Sequence, residues 1–253
     1  MMRQRSVLIT GASGCVGRLV VRALADERQG RVIATDVRPV PADEQLDGVD
    51  YLSLDVTKPE AFAILSEVDT VVHLAAIVTP PPGDTRALQY AVDVDGTRNV
   101  LEACVRFGIK RLVYTSSGAA YGYHPDNPTV LLEDHALRGN EVFAYSHHKR
   151  LVEELLAQYR DEHPSLKQVI FRVSTVLGAG VANQITAMFE RRLVLGLWGV
   201  DTPFCFIWDE DAADCLVEAV RGGPPGIYNL TGDGVMTLRE IAARMDRRYV
   251  TLP

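Results

Sequence analysis

Thr10–Gly17 reads T-G-A-S-G-C-V-G and lies between a β-branched run and a helical pattern. No other stretch restricts the backbone as much. Gly11 permits a tight turn out of a strand, Gly14 leaves the backbone open to close approach, and Gly17 lets the next helix lie close to that strand. The helix start offers unpaired N–H groups and a positive dipole end, which together suit a phosphate. Ser13, Cys15 and Val16 belong to the same loop and are expected to line it. A glycine triplet also occurs in purely structural turns; the strand before it and the helix after it make the ligand reading the stronger one.

The strand–helix order continues along the chain. Ser6–Thr10, Arg31–Asp36, Tyr51–Leu54, Thr70–Leu74, Arg111–Ser116 and Gln168–Val173 read as strands, and Cys15–Glu27, Pro59–Ser66, Thr85–Phe107 and Val142–Glu162 as helices. The strands are apolar along most of their length, as strands covered on both faces are. This order predicts an α/β fold with a doubly wound parallel sheet, the Rossmann fold. Pro80–Pro82 reads as a loop and Gly108 as a helix stop. From about residue 178 the pattern loosens. Asn183–Leu195 and Glu210–Arg221 read as helices, and Phe204–Trp208 and Gly226–Leu230 as short strands. Thr237 and Glu240 form a capping box for a helix over Thr237–Met245, and Arg248–Leu252 begins a further strand.

Composition excludes several classes. Lys plus Arg is 26 and Asp plus Glu is 33, a net charge of −7, which gives no electrostatic reason to bind nucleic acid or an anionic membrane. Cys15, Cys104, Cys205 and Cys215 are too dispersed for a zinc site, so no metal is expected, and a cytoplasmic setting suits them. No apolar run reaches the roughly 18 residues of a membrane span, and Met1–Arg5 does not lead into a signal sequence.

Two acidic residues follow early strands. Asp36 stands 19 residues after Gly17, where a carboxylate accepts from adenosine ribose hydroxyls and repels a 2′-phosphate, favouring NAD over NADP. Arg38 is placed to soften that preference. Asp55 has two readings, an adenine contact or a helix cap. Further on, Tyr145 and Lys149 are four residues apart on a predicted helix and so share a face. Tyrosine is a poor base at its ordinary pKa of about 10; a nearby ammonium favours the phenolate and fits the tyrosine for proton exchange with an alcohol or carbonyl. Ser116 or Ser117, in T-S-S-G-A-A-Y-G at a strand's carboxyl end, can hydrogen-bond the reacting oxygen.

Together these motifs resemble the extended short-chain dehydrogenase/reductase family, also called the NAD-dependent epimerase/dehydratase family. The resemblance runs from about Val7 to Met245 and adds Asp55-Val56, H-L-A-A (His73–Ala76), D-G-T-R-N-V-L-E-A (Asp95–Ala103) and F-R-V (Phe171–Val173). It implies Ser117, Tyr145 and Lys149 as the catalytic triad. It also implies NAD held by Gly11, Ser13, Gly14, Cys15, Val16, Gly17, Asp36, Asp55, Val56, Leu74, Ala75, Ala76, Tyr145 and Lys149. A homodimer through the helices Thr85–Phe107 and Val142–Glu162 is implied as well.

Departures from the family narrow the reaction. Gly118, Ala119 and Ala120 stand where dehydratases carry acidic residues, no cysteine lies beside the serine motif, Phe204 replaces a phosphate-holding arginine, and Ser174 replaces an asparagine. The leading expectation is an NAD-dependent oxidoreductase acting on a secondary alcohol or ketone of a sugar, sugar acid or cyclic metabolite. The alternatives are a nucleotide-sugar C4 epimerase with tightly bound NAD and a non-catalytic dinucleotide-binding regulator. Ser117, Tyr121, Ser174, Asn183, Trp198 and Phe204 are the substrate candidates; for the aromatics near Trp198 and Phe204, core packing is the competing reading. Tyr123 and His124 follow the serine strand and can also face substrate, whereas His73, His147 and His148 read as structural. Residues 1–177 are the expected NAD-binding domain. Residues 178–253 are expected to form a small, partly interleaved substrate-binding cap, either compact or short of a last segment.

Overall fold

The computed structural model describes residues 5–201 and 203–252; Met1–Gln4, at the start of the basic segment, Thr202 and Pro253 lie outside the described residues. The elements run β1 (Arg5–Thr10), α1 (Cys15–Glu27), β2 (Gly30–Asp36), β3 (Val49–Ser53), β4 (Thr70–His73), α2 (Arg86–Tyr90), α3 (Gly96–Phe107), β5 (Arg111–Ser117), α4 (Ala144–Glu162) and β6 (Lys167–Val173). They continue with β7 (Thr175–Leu177), α5 (Gln184–Phe189), β8 (Leu193–Leu197), β9 (Pro203–Phe204), β10 (Phe206–Trp208), α6 (Asp209–Arg221), β11 (Gly226–Leu230), β12 (Met236–Thr237), α7 (Leu238–Arg244) and β13 (Arg248–Leu252).

Seven strands form one parallel sheet in the order β11-β6-β5-β4-β1-β2-β3. The order reverses between β1 and β4, and in open α/β sheets ligands bind at the carboxyl ends on either side of such a reversal. Every residue of β4 and residues Ser6–Thr10 of β1 are buried, as the unbroken apolar runs require. Val100, Leu101 and Cys104 of α3 and Val152, Leu155 and Leu156 of α4 cover one face. Val20, Val21 and Leu24 of α1 with Leu216, Val217 and Val220 of α6 cover the other.

The C-terminal third contributes both to the main sheet and to a smaller unit beside it. α6 packs beside α1 on the main sheet, and β11 is its seventh strand, paired parallel to β6. The cap therefore comes from two separate segments, 178–208 and 231–252. Its small core unites Phe189, Val194, Leu238, Ile241 and Ala242. The helix expected over Asn183–Leu195 ends at Phe189. After the charged residues Glu190–Arg192, Leu193 and Leu195 point outward and Val194 inward; this two-residue period makes β8, which pairs parallel with β13. Phe204–Trp208 is split by Cys205 into β9, antiparallel to β12, and β10, parallel to β7. Pro59–Glu67 is a run of 3₁₀ turns, and a π-helical turn, Ala91–Asp95, joins α2 to α3. Thr237 and Glu240 form the expected capping box at α7, and Gly108 stops α3 with φ 68°.

One buried ion pair ties β6 to α4. The Arg172 guanidinium donates to both Glu153 carboxylate oxygens at 2.7–3.0 Å. Ser116 donates to Glu153 Oε1 at 2.5 Å, and Arg172 Nη1 reaches the Tyr121 hydroxyl at 2.7 Å. Removing one partner strands the other charge in the core, so Glu153→Ala is expected to cost about 3–5 kcal/mol in urea unfolding. A loss below about 1 kcal/mol would show that Arg172 finds water instead.

Candidate active site

The glycine turn closes against the end of β4. Gly11 has φ +71°, and a Cβ there would lie 2.7 Å from Ala75 N. A Cβ on Gly17 would lie 2.3 Å from Gly11 O, and one on Gly14 3.1 Å from the same atom. The loop is therefore a cradle that side chains at these positions would fill. No side chain caps α1, and no acidic residue occupies its first turn, so the amides at Cys15 and Val16 face an open, positive helix end. Burial, with the nearby Asp209 carboxylate second, pushes the Cys15 thiol up, so it stays neutral.

Asp36 sits at the end of β2 with its side chain 8% exposed. Its two oxygens accept the Ser13 N–H (3.1 Å, Oδ2) and the Arg38 N–H (3.0 Å, Oδ1), and Arg38 Nε lies 3.5 Å from Oδ1; this holds the glycine loop and leaves a lone pair on Oδ2 for a hydroxyl donor. These features fit an adenine dinucleotide: an uncapped helix start for the phosphates and a carboxylate beside it. Asp55 uses Oδ1 to accept from the Thr57 N–H and hydroxyl at 2.9 and 2.8 Å, a local turn ahead of the Pro59–Glu67 run, whose N-cap Lys58 has no side-chain cap bond. Val56 is buried in the core, within 2.7 Å of where a Gly96 Cβ would stand. Leu74, Ala75 and Ala76 are half-buried on the β4 side of the switch point.

A buried polar spine fixes that strand end. The Thr97 hydroxyl donates to Asp93 O at 2.6 Å, so it accepts from His73 Nε2–H at 3.0 Å, and His73 Nδ1 accepts from Thr10 at 2.7 Å. Thr10 in turn accepts the Ala75 N–H at 3.3 Å. The π-helical turn brings Asp93 inward; its Oδ1 accepts the Ile77 N–H at 2.9 Å and its Oδ2 lies 3.3 Å from His148 Nδ1. Asp93 thus joins the Ala75–Ile77 stretch to α4 beside Lys149. No motif marks it, and in a segment that also holds Arg86, Gln89, Asp95 and Arg98 an aspartate gives no signal of its own.

Tyr145 and Lys149 share one face of α4, as their spacing requires. Lys149 is buried, and its Nζ donates to Thr115 O at 2.8 Å and to the Tyr114 hydroxyl at 3.1 Å. It also lies 5.8 Å from the Tyr145 ring centroid. The half-buried Tyr145 has no hydrogen-bond partner for its hydroxyl among the described residues. The two serines separate clearly: Ser116 is buried against Glu153, whereas half-buried Ser117, among the described residues, accepts only from the Ala119 N–H at 3.2 Å and keeps its proton to donate.

The substrate candidates fare unevenly. Tyr121 is core, its hydroxyl 2.7 Å from Asn229 Oδ1 and bonded by Arg172; it ends the 3₁₀ turn Gly118–Tyr121 that follows β5, which turns it inward. Phe204 stacks on Phe206 and meets Phe189 edge-on at 5.3 Å, so it belongs to the cap core. Asn183 accepts the Ile185 and Thr186 N–H groups and caps α5. Trp198 is 81% exposed in the turn after β8. Ser174 remains open: its buried Oγ has no partner among the described residues, at the carboxyl end of β6.

A doubly wound sheet with an uncapped glycine turn at its switch point defines a dinucleotide-binding α/β protein. The chain belongs to the NAD dependent epimerase/dehydratase family, whose sequence profile matches residues 7–231. It is an enzyme family that uses NAD. An uncharacterized protein of Mycobacterium tuberculosis is 25% identical over 253 residues, covering 98% of this chain and 67% of the relative. N-acetyl-alpha-D-glucosaminyl-diphospho-ditrans,octacis-undecaprenol 4-epimerase of Escherichia coli O157:H7 is 34% identical over 177 residues, covering 68% of this chain and 49% of that enzyme. Thermus thermophilus UDP-glucose 4-epimerase, solved with NAD, superposes with a TM-score of 0.80 at 23% identity, covering 98% of this chain and 86% of that one. This last likeness shows the fold.

Burial pushes His73 down to about 3, with the Lys149 charge adding to it. A histidine held neutral in the fold but free to protonate when unfolded near 6.5 costs nothing above pH 6.5. Below that, stability falls as pH drops, by up to about 1.4 kcal/mol per pH unit, until about pH 3. Urea unfolding of wild type and His73→Gln from pH 7 to pH 4 is expected to show a shallower acid limb for the variant; parallel limbs would refute this origin.

Proposed function

We propose that the chain transfers hydride between NAD and a secondary alcohol or ketone on a sugar, sugar acid or cyclic metabolite. The observation that carries this is the unpartnered Tyr145 hydroxyl above a buried Lys149, on the helix that starts beside the Ser117 strand end. Gly11, Ser13, Gly14, Cys15, Val16 and Gly17 would hold the phosphates, Asp36 and Asp55 the adenosine, and Leu74, Ala75, Ala76, Tyr145 and Lys149 the nicotinamide end. Bound NAD supplies the hydride acceptor or donor. Ser117 donates a hydrogen bond to the reacting oxygen. Tyr145 takes the proton from an alcohol or returns it to a carbonyl, and the Lys149 side chain, fixed by its bond to Thr115 O, stands beside the Tyr145 ring.

A second reading, a nucleotide-sugar C4 epimerase that re-reduces its own intermediate ketone, draws support from the Escherichia coli relative. Net NADH accumulation belongs to the first reading and none to the second. Exposed Leu88, Tyr90 and Val105 on α2 and α3 support a homodimer through these helices and α4. A cytoplasmic setting fits four free thiols.

Tyr145→Phe is expected to lower kcat by about 10² to 10⁴, with NADH affinity within about twofold of wild type and tighter than NADPH affinity, read by fluorescence titration. Full turnover in that variant removes Tyr145 from its role; NADPH binding as tight as NADH removes Asp36 from its own. For assembly, light scattering is expected to give twice 27.8 kDa for wild type and a smaller mass for Leu88→Asp.

A further inference from the structure

We propose that Tyr123 and Phe143 form, together with Tyr145, a stacking platform that selects an uncharged ring system on the substrate; this rests on the reading of Tyr145 as the proton-transfer residue. The three rings stand in file. Tyr123 and Phe143 centroids are 6.2 Å apart and tilted by 38°, and Phe143 and Tyr145 are 6.1 Å apart and tilted by 43°. Tyr121 two residues earlier turns into the core, but Tyr123 is 66% exposed and Phe143 45% exposed. Two large aromatics left open beside a reactive hydroxyl mark a surface that gains by being covered.

The backbone beneath them is tied down. Asn140 Oδ1 accepts the Tyr123 N–H at 2.7 Å, its Nδ2 donates to Tyr123 O at 3.4 Å, and its carbonyl accepts the Phe143 N–H at 3.1 Å. The Asn140 N–H donates to Ser146 Oγ at 3.0 Å, and Ser146 donates to Ala119 O at 2.6 Å. Asn140 and Ser146 therefore join both aromatics to the helix start that carries Tyr145. Such fixing lowers the ordering cost of binding. Arg138 is held bidentately by Asp126 at 2.6–2.8 Å, whereas Arg150 lies 3.5 Å from Glu154 and its buried Nε has no partner among the described residues.

The geometry suits a fused or linked ring. A carbinol oxygen within about 3 Å of the Tyr145 hydroxyl leaves the neighbouring ring to lie along the step toward Phe143, and a further ring to reach Tyr123. The substrate class is a cyclic secondary alcohol or ketone with an apolar ring face.

The test uses the full chain and two probes, 1-tetralol and UDP-glucose. Saturation-transfer NMR titration is expected to show 1-tetralol binding to wild type, weakened about tenfold in Phe143→Ser and in Tyr123→Ser and restored within about threefold by Phe143→Tyr. The platform is overturned if wild type does not bind 1-tetralol, if both serine variants bind it as wild type does, or if UDP-glucose binds more tightly with no dependence on either ring. Hydride transfer is read separately by NADH absorbance. Platform-dependent binding with no NADH from any alcohol overturns the hydride-transfer reading and leaves the platform; NADH from sugars with no dependence on either ring overturns the platform alone.

Discussion

The closeness of backbone at the switch point governs the rest of the molecule. Gly17 lies against the Gly11 carbonyl and Gly11 against Ala75 at distances no side chain allows. This contact sets the angle at which α1 leaves β1, and with it the layer that α1 and α6 form over one sheet face. It also turns the α1 amides toward the place where β1 and β4 part. Packing, topology and anion recognition thus share one steric cause.

Buried polar groups then set the chemistry's position. Arg172 and Glu153 join β6 to α4, Asp93 and His148 join the Ile77 backbone to α4, and the His73 spine joins β1, β4 and α3. Each link is hydrogen-bonded on both sides, so each adds geometric definition without leaving a charge alone in the core. Tyr145 and Lys149 sit on the helix where two of these links meet. Their placement follows from contacts that make no contribution to proton transfer themselves.

The sheet was legible in the sequence because its information is local. Apolar runs, glycines at fixed offsets and helix caps state their own conformation, and the strands β1 to β6 begin and end within two residues of the pattern. Tyr145 and Lys149 were legible for the same reason, since a four-residue spacing decides a helix face. What stayed hidden depends on distant partners. Tyr121 looked like a pocket residue until Arg172 and Asn229 drew it inward. Asp93 needed a π-helical turn, which no local signal announces. Leu193–Leu197 carries enough leucine for a helix, but its two-residue alternation and its distant partner β13 make it a strand. Phe143 belongs to no motif, and one of its two ring neighbours, Tyr123, is 20 residues away in sequence.

The return of the chain to the main sheet has a consequence for folding. α6 and β11 lie between the two cap segments, so docking of β11 against β6 shortens the open loop that separates Phe189 and Val194 from Leu238, Ile241 and Ala242. The sheet edge thus lowers the loop-closure cost of the cap contacts. A destabilised sheet edge at β11 would then appear first as a loosened cap, with the dinucleotide half still assembled.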